Sequence, residues 1–152
     1  MRPIQQQDIP VLKRVIDSSE LFPSEFLDEM LVTYFSNSNT SDIWITDEHN
    51  GTPIAVAYCA PEKMTEGTYN LYLIAIHKDH QGKGIGAKIM RYFEAMLTDK
   101  GVRILIVETS GLPSFELTRK FYDKLGYIRE AVIRDFYEAG DDKVVFWKKL
   151  NS

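Results

Sequence analysis

The segment Tyr69-Asn70-Leu71-Tyr72-Leu73-Ile74-Ala75-Ile76 is almost entirely apolar and leads, after a short turn, into Gln81-Gly82-Lys83-Gly84-Ile85-Gly86. So apolar a run suits a central strand covered on both faces rather than an exposed edge. Past the glycines, Ile85, Ile89, Phe93 and Met96 recur at helical spacing. Glycines crowded between a strand and a helix let a ligand approach the backbone closely. The first N–H groups of such a helix have no partner within it, and the helix dipole favours an anion there. A pyrophosphate is the expected guest, with Lys83 adding positive charge beside it.

Two familiar phosphate loops are poor matches. No Gly-Lys-Ser/Thr closes the motif, which excludes the P-loop pattern. The dinucleotide fingerprint G-x-G-x-x-G comes closer, and Glu108 stands at about the distance of its ribose-binding acid. Here, however, the third glycine falls one residue early, as Gly82-x-Gly84-x-Gly86. The region before the loop is also hairpin-like rather than the start of a βαβαβ half.

Elsewhere the chain alternates helical and strand patterns. Ile9, Leu12, Val15 and Ile16 follow Asp8, a candidate N-cap. Phe26, Leu27, Met30, Leu31, Tyr34 and Phe35 mark a second helix, ended by the polar stretch Ser36 to Ser41. Strands are expected over Ile43 to Thr46 and Pro53 to Ala60, flanking Asn50-Gly51, a dipeptide that tolerates positive φ at both positions. Val102 to Val107 reads as another strand. Ser114 to Leu125 reads as a helix stopped by Gly126. Two final strands, Ile128 to Arg134 and Lys143 to Leu150, flank a turn at Ala139-Gly140-Asp141-Asp142. The result is a mixed α/β (α+β) chain with a strand–helix–strand unit in its middle.

With 152 residues and no linker or repeat, one domain over residues 1–152 is expected. No apolar run approaches the roughly 20 residues that cross a bilayer, and the N-terminus lacks a signal-peptide pattern. A single cysteine, Cys59, sits in an apolar run and is expected as a buried thiol; it excludes an intrachain disulfide. These features point to a cytoplasmic protein that does not bind membranes. A net charge of −4 disfavours a nucleic-acid surface and suits a cationic substrate such as an amine. His77 and His80 form an H-x-x-H without a third ligand at zinc spacing, so a turn is expected there and no metal. Phe136-Tyr137 and Asp141-Asp142 read as a hairpin tip and a solvated charge pair.

Gln81, Gly84 and Gly86 match the Gln/Arg-x-x-Gly-x-Gly/Ala loop of the GNAT superfamily of acyl-CoA-dependent N-acyltransferases. Downstream, Arg119-Lys120-Phe121-Tyr122-Asp123-Lys124-Leu125-Gly126-Tyr127 resembles the x-F-Y-x-x-L-G-F/Y helix end of the same superfamily. The element order matches as well, so the likeness covers nearly the whole chain. It implies a mostly antiparallel central sheet with a splayed parallel pair, flanked by four helices.

The resemblance also implies a cofactor and a chemistry. Acetyl-CoA would bind as co-substrate, its pantetheine arm along the backbone of Ile74, Ala75 and Ile76. Its pyrophosphate would rest on the loop Gln81, Gly82, Lys83, Gly84, Ile85, Gly86 and Ala87. The Ile76 N–H would polarise the thioester carbonyl. Tyr122 matches the superfamily's general acid, and its bland alternative is an aromatic of the core. Many members carry a glutamate base in the central strand, where this chain has Asn70. Glu108 is the better candidate, as in the similar bacterial ribosomal-protein N-terminal acetyltransferases; its bland alternative is a solvated strand-end carboxylate. Those relatives often place an asparagine after this strand, where Gly111-Leu112-Pro113-Ser114 stands here.

The expected activity is N-acetylation of a primary amine by direct attack. The acceptor is a small-molecule amine or a protein or peptide amine. A homodimer is one state the resemblance allows. The alternative function is a non-catalytic acyl-CoA-binding module on the same fold.

Overall fold

A computed structural model of the chain describes residues 1–20 and 22–150. Its strands are β1 (Arg2–Pro3), β2 (Ile43–His49), β3 (Thr52–Pro61), β4 (Thr68–Ile76), β5 (Ile104–Ser110), β6 (Ile128–Glu138) and β7 (Asp141–Lys149). Its helices are α1 (Ile9–Ser19), α2 (Phe26–Ser36), α3 (Ile85–Asp99) and α4 (Glu116–Lys124). The hydrogen-bonded strand order is β1-β2-β3-β4-β5-β7-β6, so the apolar β4 is the central strand. Only β4 and β5 are shown to run parallel; the β1–β2, β2–β3, β5–β7 and β6–β7 pairs are antiparallel. This is the mixed, mostly antiparallel sheet with four helices that the sequence led us to expect.

The chain forms two compact units, Met1–Ala60 with Leu73–Phe93, and Pro61–Tyr72 with Glu94–Ser152. In the first, the core gathers Leu12, Val15 and Ile16 of α1, Leu27 and Leu31 of α2, and Trp44, Val56, Leu73 and Ala75 of the strands. The Trp44 indole stacks on Tyr58, with ring centroids 4.2 Å apart. The β2–β3 connection turns on Asn50 and Gly51, whose φ values of 53° and 81° are the pair that a tight hairpin requires. Cys59 is fully buried, as expected, and burial pushes its thiol far above the ordinary range.

Two details of this unit depart from the sequence reading. Asp8 does not cap α1 with its side chain. Its carboxylate instead takes a two-pronged ion pair from Arg2 (2.8 and 2.9 Å) and the Gln5 N–H (2.7 Å). In α2, Leu27 and Leu31 face inward, but Phe26 and Met30 are exposed. The apolar stripe is therefore wider than the face the helix buries.

In the second unit, Leu97, Val102, Leu105, Val107, Tyr122, Tyr127, Val144 and Phe146 are buried. The Tyr122 ring packs at 5.4 Å from Phe146 and 5.8 Å from Tyr127. Gly126 ends the α4 segment at φ +87°, the left-handed stop expected of it. The first turn of the expected 114–125 helix is a 3-10 turn, Pro113–Phe115. The β6–β7 register jumps from Ile133↔Lys143 to Glu138↔Asp141, which leaves residues 134–137 as a bulge. Phe136 and Tyr137 thus lie in a bulge within β6. Asp141 already belongs to β7, so the turn is confined to Ala139-Gly140.

The Asp8 ion pair makes stability pH-dependent. Hydrogen bonds from Arg2 hold the Asp8 carboxyl below its ordinary value of 3.8. A depressed folded-state value stabilises the fold above the unfolded value, and that gain disappears as pH falls through the folded one. Asp8→Asn is expected to cost about 1–3 kcal/mol at pH 7. In urea titrations the gap to wild type should close as pH is lowered from neutrality to below the ordinary carboxylate range; a gap independent of pH would contradict this.

Candidate active site

The glycine loop lies in the first unit. Strand β4 ends at Ile76, a 3-10 turn covers Lys78–His80, and α3 starts at Ile85. His77 accepts the Asp79 N–H on its Nδ1 (3.2 Å), so the H-x-x-H serves a turn. Gln81 folds back and donates from Nε2 to the Ile76 carbonyl (2.9 Å), tying the loop to the strand end. Gly82 and Gly84 have φ of +74° and +81°, and a Cβ at either would meet nothing within 4 Å. Glycine is therefore required there for backbone conformation, and the space beside it is open. The first intrahelical bond runs from the Lys88 N–H to the Gly84 carbonyl (3.1 Å). The N–H groups of Ile85, Gly86 and Ala87 precede it, the usual donors for an anion at a helix start. Open space, free donors and the exposed Lys83 side chain fit a pyrophosphate.

The second unit holds a polar constellation. The parallel β4–β5 ladder runs from Thr68↔Ile104 to Leu71↔Val107 and stops. Just past its end on β5 is Glu108, paired in register with Val145 of β7. Its Oε1 accepts from Asn70 Nδ2 (2.7 Å), and its Oε2 is in contact with Lys143 Nζ. The Glu108 side chain is only 23% exposed, which overturns the picture of a solvated strand-end carboxylate. Asn70 Nδ2 also donates to Glu62 Oε1 (2.8 Å), which accepts the Tyr72 hydroxyl as well (2.7 Å). Lys143 sits over the Phe136 ring at 3.9 Å, so the bulge covers the ion pair. Burial, then the charges of Glu108 and Asp141, push the Tyr137 phenol up. Asp141 accepts a hydrogen bond from Ser110 Oγ, and Asp142 accepts the Asp135 N–H (2.9 Å). The expected hairpin tip and solvated pair are instead built into this end of the unit.

Tyr122, on α4, is 3% exposed among Phe121, Tyr127 and Phe146. Its hydroxyl has no hydrogen-bond partner among the described residues, and no bond joins it to Glu108. Burial raises the phenol well above its ordinary value, which keeps its proton on at neutral pH. The loop after β5 is pinned by Arg119, which donates to the carbonyls of Ser110 and Leu112, both at 2.8 Å.

A family model described as the acetyltransferase (GNAT) family matches residues 12–127. The chain belongs to the GNAT family of acetyltransferases. Among solved structures, an acetyltransferase described as of the GNAT family, from Desulfovibrio desulfuricans, is 28% identical with a TM-score of 0.92, covering 99% of this chain and 97% of that one. The ribosomal-protein-S18-alanine N-acetyltransferase of Escherichia coli shares the fold at 18% identity and TM-score 0.79, covering 99% and 93%. A Salmonella typhimurium protein, solved with acetyl-CoA as its cofactor, shares it at 15% identity and TM-score 0.80, covering 99% and 93%.

Within this GNAT chain, the sequence singles out the glycine loop, Glu108 and Tyr122 as candidates but not the partners of Glu108. Asn70 carries a visible signal, as a lone polar residue in an apolar strand, although an amide cannot act as a base. Glu62 and Lys143 carried no such signal, because their proximity depends on strand register. Among the described residues, no group of three or more His, Cys, Asp or Glu side chains is placed to hold a metal ion.

Since the space beside Gly84 is open, a Gly84→Ala substitution tests conformation alone. It is expected to cost about 1–2 kcal/mol in urea unfolding, from the left-handed φ. A neutral result would show that the loop can relax into another conformation.

Proposed function

We propose that the protein is an N-acetyltransferase that moves an acetyl group from acetyl-CoA to a primary amine by direct attack within a ternary complex. The observation that carries this reading is the glycine loop, with open space beside its left-handed glycines and unpaired N–H groups opening α3, in a chain of the GNAT family. In this reading the whole chain acts as one catalytic domain, in the cytoplasm. The acceptor is a small-molecule or protein amine.

The loop residues Gln81 to Ala87 hold the pyrophosphate, and the backbone of Ile74, Ala75 and Ile76 holds the pantetheine arm. Glu108 takes the proton of the attacking nitrogen. Each carboxylate oxygen has about two lone-pair sites, so one site per oxygen remains after Asn70 and Lys143 are bound. The Ile76 N–H stabilises the developing oxyanion. The carbon–sulfur bond breaks, and Tyr122 gives its proton to the departing thiolate. A phenol held protonated by burial is suited to that last step.

Tyr122→Phe is expected to lower kcat by about 10²-fold or more while leaving the acetyl-CoA Kd unchanged. Full turnover by this variant would remove Tyr122 from the chemistry. Glu108→Gln should flatten the rising limb of the pH–rate profile, and an unaltered limb would assign the base elsewhere. If acetyl-CoA binds and thiol release stays at background across a panel of amines, the chain is a binding module.

A further inference from the structure

We infer that Arg119 is a positioning residue: it clamps α4, and Tyr122 with it, to the end of the strand that carries Glu108. Its consequence for turnover rests on the acetyltransferase reading of those two residues given above.

Helix α4 needs a tie of this kind. It has nine residues, and its N-cap, Phe115, makes no side-chain capping bond. A helix so short does not hold its shape in water unaided, so contacts outside it must do so. Among the described residues of α4, only Tyr122 is buried, and Leu117 is 82% exposed. Toward the other end of the helix Asp123 pairs with Arg129, but both side chains are exposed, and such a pair contributes little.

Arg119 supplies the missing anchor. Its Nη1 donates to the carbonyls of Ser110 and Leu112, and bonds from a charged donor are stronger than neutral ones. The segment it grips is itself held from β7. Ser110 is buried and sits opposite Lys143 in the β5–β7 ladder. Its hydroxyl donates to Asp141 and accepts the Leu112 N–H (3.1 Å). The Gly111 N–H donates to the Asp142 carbonyl (2.8 Å). Ser110 follows Glu108 and Thr109 on β5, and Tyr122 lies about one helical turn beyond Arg119. Packing against Phe121, Tyr127 and Phe146 buries the Tyr122 ring, while the clamp sets where its helix stands against β5. A misplacement of about 1 Å in a reacting group costs about 10²-fold in rate.

The test is a double-mutant cycle between Arg119→Met and Tyr122→Phe. It is read as acetyl-CoA-dependent thiol release with butylamine, lysine and an alanine-initiated peptide as acceptors. Methionine keeps an unbranched apolar stem and removes the donors. Alone, Arg119→Met is expected to lower kcat by about tenfold or more, with the amine KM and the acetyl-CoA Kd little changed. In the Tyr122→Phe background the same change should cost less than about threefold, because no acid is left to misplace. Arg119→Lys keeps a cationic donor and should recover part of the lost kcat; it takes the place of Arg119→Met in the cycle if that variant does not fold. An equal loss in both backgrounds, or full turnover by Arg119→Met, overturns the inference and leaves the acetyltransferase reading intact. If wild type binds no acetyl-CoA and releases no thiol, that reading fails, and hydrogen exchange decides the clamp. Faster exchange confined to the α4 amides of Arg119→Met upholds it, and unchanged exchange, or acceleration spread over the whole chain, overturns it.

Discussion

The architecture depends on the parallel pairing of β4 with β5. Parallel strands cannot be joined by a tight turn, so the chain must cross over, and here it does so through α3. That crossover needs a strand-to-helix junction, and the junction is where the glycine loop forms. The parallel ladder lasts only from Thr68↔Ile104 to Leu71↔Val107. Backbone groups beyond its end on the two strands make no ladder bonds to one another, and such groups must find partners elsewhere. On β5 the continuation is paired on its other side by β7, from Glu108↔Val145 to Ser110↔Lys143. The carboxylate of Glu108 therefore comes from a strand held firmly on one side.

Local chemistry was legible in the sequence, and cross-strand chemistry was not. Asn50-Gly51 and Gly126 declare themselves because positive φ restricts which residues can stand there. Gly82 and Gly84 do so for the same reason. The helices and most strands follow from their apolar period, although their ends shift: β2 runs on to His49 and β6 to Glu138. The bulge at residues 134–137 could not be read, because it exists only relative to the register of β7. The exposure of all eleven residues of β6 was equally hidden, since Ile128, Val132 and Ile133 look like core residues until the strand proves to be an edge. The role of Asp8 is hidden for a related reason. Its position suited a cap, but Arg2, at the β1 edge, offers its carboxylate two charge-assisted bonds, and these are stronger than a capping bond.

The identity of residue 70 decides how the carboxylates beside it interact. A carboxylate at that position would face Glu62 and Glu108 across hydrogen-bonding distance, and three like charges so close cannot all remain ionised. Asparagine reverses the interaction: its amide donates to both neighbours and holds them together. In the proposed mechanism the base is then supplied by β5, and the central strand positions it. Lys143 completes the arrangement from β7, with Phe136 packed over its ammonium. A carboxylate held on both oxygens loses rotamer freedom, so its remaining lone pairs point in a fixed direction.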